Sequence, residues 1–123
     1  MFTKLKMLVC LLLPLVVLFT AKPVIAEPAE IQEQTTGELI SFYSHYYNVN
    51  EDTLHKVINC ESKYNPLAHN SVGENSWGLV QINLNAHKTI TVEQATDRNF
   101  AIDFLAKNIK NGKGSMWTCY RKL

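Results

Sequence analysis

The apolar positions of the chain form three helical stripes, preceded by one nearly unbroken apolar run. Leu39, Phe42, Tyr43 and Tyr46 recur at i, i+3, i+4 and i+7, which predicts a helix over about 37–46 with these four side chains in the core. Asn48-Val49-Asn50 breaks that helix. Asn50 is placed to cap a second one, whose first turn carries Glu51 and Asp52 as a helix N-terminus favours. Leu54, Val57 and Ile58 form the second stripe, on a helix that runs to about Ser62 before Asn65-Pro66 stops it. The third stripe is Ala101, Phe104, Leu105 and Ile109, on a helix from Arg98 to Lys110 capped by Thr96 or Asp97 and closed by Asn111-Gly112. Between the second and third stripes, residues 65–78 hold Asn, Pro, Gly and Ser at loop density. From Gly78 to Asn83, Leu79, Gln81 and Asn83 alternate against Val80, Ile82 and Leu84, a short extended or turn-like piece with one polar edge. The pattern predicts a small, mainly α domain with one long loop and little β structure.

The N-terminal apolar run has a different meaning. Lys4 and Lys6 precede Met7 to Phe19, and Val24-Ile25-Ala26 ends the segment on a small residue, the pattern of a signal peptide over 1–26. The run is shorter than the ~20 residues of a spanning helix and contains Pro14, which disfavours a membrane anchor. Cys10 stands at the front of the run with no small residues before it and reads as part of the apolar segment rather than a lipidation site. Export to the periplasm, cell envelope or exterior is expected, with the membrane met only through this segment. Residues 27–36 read as a polar tail and 37–123 as one domain. A net charge of +1 and the lack of a basic cluster give no sign of nucleic-acid binding. A monomer is expected.

Cys60 and Cys119 are the two cysteines beyond the signal segment. In an oxidising compartment they are expected to pair, closing a loop of roughly 60 residues and stabilising the fold by about 4 kcal/mol in the chain-entropy account. The bond would tie the C-terminus to the residue beside Glu61. No zinc site, other metal or cofactor is expected, because neither His nor Cys neighbours stand at ligand spacing. His45, His55, His69 and His87 likewise show no ligand or nucleophile pattern.

Glu61 is where local pattern and chemistry disagree. It is the i+7 position of the Leu54, Val57, Ile58 stripe, a carboxylate where the pattern asks for an apolar side chain. Desolvation on such a face raises a carboxyl pKa, as a general acid near neutral pH requires. The plainer alternative is a glutamate at a helix end that turns to water or pairs with Lys63.

The surrounding residues favour the chemical reading. Glu61, Ser62, Tyr64, Asn65, Pro66 and Ala68, followed by Gly78, Leu79, Gln81 and Ile82, resemble the two motifs of the lytic transglycosylase branch of the lysozyme-like superfamily. Gly73, Glu74, Ser76 and Asn83 match the small phage- and secretion-associated variant, and the resemblance covers roughly residues 39–120. It implies a small lysozyme-like domain whose 65–78 loop lines the cleft, a peptidoglycan glycan strand as substrate, Glu61 as the catalytic acid, and Gln81 facing the cleft near it. It also implies substrate contacts from Ser62, Asn70, Ser76, Asn83 and Tyr120. The loop before Gly78 is two residues longer than in the commonest pattern, so the family's substrate-binding serine falls on Asn70, Ser71 or Ser76. Trp77 stacks on a sugar or fills the core. Asn99, Ala101, Trp117 and Tyr120 match the family's third region loosely, with Trp117 expected near the cleft wall.

Three functions remain open at this stage. With one acid, the resemblance implies a transglycosylase that cuts the β-1,4 bond between N-acetylmuramic acid and N-acetylglucosamine and leaves a 1,6-anhydro sugar. With Glu74 assisting a water, the chain would be a muramidase; Asp97 and Asp103 are remoter partners. The short C-terminal region motivates a third reading, a weakly catalytic wall-binding module of a secretion or conjugation apparatus.

Overall fold

The computed structural model describes residues 32–123 together with Ala21 and Pro23. The expected signal segment, apart from Ala21 and Pro23, and residues 27–31 of the polar tail lie outside the described residues. The domain contains helices α1 (Thr36–Tyr47), α2 (Glu51–Ser62), α3 (Val92–Thr96) and α4 (Arg98–Lys110). Strands β1 (His69–Asn70), β2 (Ser76–Trp77) and β3 (Ile82–Asn83) lie between α2 and α3, and two 3-10 turns, Gly114–Met116 and Tyr120–Lys122, follow α4.

Each helix starts where a side chain satisfies its orphaned N–H groups. Thr35 and Glu38 form a reciprocal capping box on α1, Asn50 accepts from Thr53 N–H on α2, and Asp97 accepts from Phe100 N–H on α4. The expected span of α4 and the Asn50 cap of α2 are found as read. The short helix α3 was not anticipated, although Thr91 and Gln94 form a second capping box at its start.

The core gathers Leu39 and Ile40 from α1, Leu54, Val57 and Ile58 from α2, Leu79, Val80 and Ile82 from the loop, and Ala101, Ile102, Leu105 and Ala106 from α4. One expectation about α1 is corrected. Phe42 and Tyr46 are 52% and 69% exposed, and the buried stripe is rotated onto Leu39, Ile40, Tyr43, Ser44 and Tyr47. Polar partners decide the rotation. Tyr43 Oη donates to Asn99 Oδ1 at 2.7 Å and Tyr47 Oη donates to Asp103 Oδ1 at 2.6 Å, two rungs one helical turn apart that join α1 to α4. The bond to Asp103 pushes the Tyr47 phenol up to about 12. A second correction concerns 79–84: Leu79 and Val80 are both fully buried, so the alternation fails there. The reason is a turn, since Gln81 has φ 51°.

Helix α2 ends at Ser62, as read. Lys63 takes the left-handed conformation (φ 54°) as C-cap, donating its N–H to Asn59 O, and Tyr64 follows at φ 62°. A non-glycine residue in this region is strained by about 1–2 kcal/mol. Lys63→Gly is therefore expected to raise unfolding stability by about 0.5–1 kcal/mol after the larger unfolded-state entropy of glycine is subtracted. A urea melt checks this; an unchanged or lower midpoint would show that Lys63 is not strained.

Candidate active site

Leu54, Val57 and Ile58 are fully buried, and Glu61 follows on the same face of α2 in a half-buried position. Its carboxylate cannot turn wholly into water, because the C-terminal segment crosses it. The Cys119 backbone N–H donates to Glu61 Oε1 at 3.3 Å. Cys119 is held there by a disulfide to Cys60, with the two Cα atoms 5.9 Å apart. Burial pushes the Glu61 carboxyl above its ordinary value, partly opposed by the Cys119 N–H; the like charge of Glu74 adds to the rise and Lys122 opposes it. Lys63, the salt-bridge partner of the plainer alternative, makes no ion pair with Glu61 among the described residues.

The loop facing Glu61 is fixed by backbone contacts. Gly78 has φ 83°, and a Cβ there would stand 1.8 Å from Ala95 O of α3. Only glycine lets the loop approach α3 this closely. Gly78 N–H donates to Ala68 O at 2.8 Å. Gln81 then turns, and its Nε2 donates to Ala68 O at 3.0 Å and to Gly78 O at 2.9 Å. A non-glycine left-handed residue whose own amide braces the turn is local strain held in place by its surroundings. The amide is thus a brace, and the same side chain borders the cleft.

Residues 65–78 are not wholly irregular. They contain the hairpin β1–β2, with His69 opposite Trp77 and Asn70 opposite Ser76, and β3 adds antiparallel on the far side of β2. Trp77 fills space rather than offering a bare face: it packs partly against the core, stacks on His69 at 3.7 Å between ring centroids, and donates Nε1–H to Asn75 Oδ1. Asn70 Nδ2 donates to Glu74 Oε1 at 2.8 Å, which ties down the second carboxylate of the region.

Helix α2, the β2–β3 loop, α4 and the C-terminal segment enclose a cleft of ≈ 330 Å³. Glu61, Glu74, Gln81 and Asn83 all border it. So the structure brings together the expected acid, its rival partner and two of the expected substrate contacts. The other expected contacts lie elsewhere. Ser62 is buried and donates to Ile58 O in its own helix. Ser76 is 1% exposed and its Oγ has no protein partner. Asn70 reaches the cleft only through Glu74, Ser71 is exposed, and the Tyr120 ring lies against Gly114. Asn83 Oδ1 is already engaged with the N–H groups of Asn85 and Ala86, leaving its amide nitrogen for a ligand.

Five cleft residues carried no signal in the sequence: Ala86, His87, Phe104 in this role, Met116 and Thr118. His87 sits edge-on to Phe104 at 5.2 Å, and Phe104 sits edge-on to Trp117 at 6.0 Å. Trp117 itself is buried, with Nε1 donating to Val80 O at 2.6 Å, which places it at the cleft wall as expected. The cleft lining therefore combines carboxylates with aromatic rings, a surface suited to a sugar chain with both polar edges and apolar ring faces. Among the described residues no three His, Cys, Asp or Glu side chains converge as a metal ion would need.

The model of the family described as "Transglycosylase SLT domain" matches residues 38–123, well over half of the chain. The chain belongs to this family. Searches of curated proteins and of solved structures give no match. The members of the SLT family are lytic transglycosylases, and their substrate is peptidoglycan. The mainly helical SLT domain described above, with its small three-stranded antiparallel sheet, agrees with a small lysozyme-like fold. Within that domain, Glu61 at the end of α2 and Gln81 on the braced turn border one cleft.

Proposed function

We propose that the protein is an exported lytic transglycosylase that cuts the β-1,4 bond between N-acetylmuramic acid and N-acetylglucosamine with Glu61 as its one catalytic carboxyl. The observation that carries this reading is the position of Glu61: half-buried, on an apolar helix face, in the cleft, with burial raising its pKa. A carboxyl so placed holds its proton toward neutral pH and can give it to the leaving glycosidic oxygen. The N-acetyl group of the N-acetylmuramic acid residue assists at that residue's own C1 as the N-acetylglucosamine oxygen leaves. Glu61, now a carboxylate, takes the proton of the C6 hydroxyl as that oxygen closes on C1. No water is consumed, and the product carries a 1,6-anhydro ring. Gln81 and Asn83 would hold the glycan, and Phe104, Met116 and Trp117 would face its ring edges. The N-terminal segment, read as a signal peptide over 1–26, would bring the chain to the wall; no cofactor is required.

One observation favours a second reading. Glu74 borders the same cleft and its charge acts on Glu61. A carboxylate there could serve as base for a water, as in glycosidases with two acids, which would make the chain a muramidase. The Asn70 amide donates to Glu74 Oε1 and ties that carboxylate to its own loop, which counts against a base for water.

Glu74→Gln separates the two. As a transglycosylase, the variant keeps wall lysis within about threefold, well inside the ~10²–10⁴-fold that a general acid or base contributes. Loss of the like charge lowers the Glu61 pKa, so the alkaline limb of the lysis profile moves to lower pH. Muropeptides released by the unaltered chain should each be one water lighter than reducing-end products, as judged by mass spectrometry. Reducing ends, with lysis lost in the Glu74 variant, would establish the muramidase.

A further inference from the structure

The last ten residues form a segment that closes over the end of α2, and three separate anchors hold it. Cys119 is bonded to Cys60. The Trp117 indole donates to Val80 O. Tyr120 packs, partly buried, against the core, its ring filling the space that Gly114 of the same segment leaves by lacking a side chain. Cys60 and Glu61 are consecutive, so the disulfide and the bond from Cys119 N–H to Glu61 Oε1 lie side by side at one helix end.

Both groups that favour the ionised form of Glu61, the Cys119 N–H and Lys122, belong to this segment. Burial and the charge of Glu74 oppose them. His87, from the loop after β3, borders the same cleft. The segment is thus more than a lid on the core. It sets the direction of the carboxylate.

We propose that Cys119 is a positioning residue for Glu61, its backbone N–H held on the carboxyl by the bond to Cys60, so that reducing this bond disarms the acid while the domain stays folded. The proposal rests on the reading of Glu61 as the general acid. Reduction needs a dithiol. One thiolate attacks a sulfur of the pair, a second resolves the mixed disulfide, and the reductant leaves as its own disulfide. Cys60 and Cys119 together gain two electrons and two protons. The Trp117 and Tyr120 anchors are not sulfur-dependent and keep the segment on the core. What relaxes is the backbone at Cys119, and with it the donor to Glu61.

A small displacement of a catalytic group can cost up to about 10²-fold in rate. The loss should fall on kcat, with KM little changed, because the glycan contacts at Gln81 and Asn83 are not on the segment, and Trp117, which is, stays bonded to Val80 O.

The test is the Glu61 carboxyl titration, followed by carbon NMR with the Glu61→Gln variant as assignment control. It is run on the full domain with the disulfide closed, after reduction by dithiothreitol, and in the Cys60→Ser/Cys119→Ser variant. The expected result is a Glu61 titration displaced to higher pH in both disulfide-free forms, with a folded circular dichroism spectrum. Where the Ser variant fails to fold, reduction of the already folded protein supplies the same reading. An unchanged or lower Glu61 titration would overturn the proposal, and so would unfolding on reduction, which would make the disulfide a staple of the whole domain. The titration does not depend on activity, so it stands apart from the acid assignment: undiminished lysis by Glu61→Gln would refute that assignment and leave the measured coupling in place.

Discussion

Replacing Glu61 by glutamine is expected to lower peptidoglycan lysis by about 10²–10⁴-fold, the share that a positioned general acid and base contributes. Glutamine keeps the size of the side chain and an oxygen to accept from Cys119 N–H, so the geometry of the site is retained. It has no proton of suitable acidity to give to the glycosidic oxygen. Glycan binding should persist, because Gln81, Asn83 and the aromatic side chains of the cleft are untouched. The same variant carries a stability signature. Burial raises the Glu61 pKa in the folded state above its value in the unfolded chain. Between those two values the folded chain binds more protons than the unfolded one, so stability falls as pH rises through the window. At neutral pH Glu61 is therefore a net liability, and Glu61→Gln should melt at a higher temperature than the parent. The difference should shrink as pH falls below the unfolded-state value. A variant that is inactive yet unchanged in melting temperature at pH 7 would argue that Glu61 is not desolvated. One that still lyses walls would remove the acid assignment.

The second large effect is structural. Gly78→Ala is expected to destabilise the domain by at least about 3 kcal/mol, at the severe end of single substitutions. Two costs combine: the residue sits at φ 83°, and its Cβ would penetrate the Ala95 carbonyl of α3, backbone that cannot swing aside. The site would move with it, since Gly78 O accepts from both the backbone and the side chain of Gln81. Even a folded remnant should therefore lose its grip on the turn opposite Glu61. Denaturant unfolding checks the claim; a midpoint within experimental error of the parent would show that α3 yields easily.

Much of this arrangement is visible before any coordinates. The caps at Asn50 and Asp97 and the stop at Asn111-Gly112 are local chemistry, and the helices they bound are found where local chemistry puts them. The pairing of Cys60 with Cys119 followed from having only two cysteines to join. Glu61 stood out because a carboxylate interrupts an apolar stripe. Where the reading missed, the deciding interaction was remote in sequence. Two stripes compete on α1, since 39-42-43-46 and 39-40-43-47 are both apolar at helical spacing. The choice is made by Asn99 and Asp103, 56 residues away, which accept from Tyr43 and Tyr47. Helix α3, at five residues, is too short to show a period, although the Thr91–Gln94 box marks its start. His87, Met116 and Thr118 reach the cleft through the turn after β3 and the turn after α4. No spacing rule predicts that meeting. Ser62 and Ser76 show the converse: motif position suggested contact with substrate, whereas burial turns both side chains into the protein.

The central claim is that one carboxyl suffices because the substrate supplies its own nucleophile. Digestion of purified peptidoglycan in heavy-oxygen water, followed by mass spectrometry of the released muropeptides, tests it most directly. Transglycosylation predicts anhydro ends with no heavy oxygen, since the new bond at C1 comes from the C6 hydroxyl of the same sugar. One heavy oxygen at each new end would mean that water attacked, and the claim of a single-carboxyl transglycosylase would be contradicted.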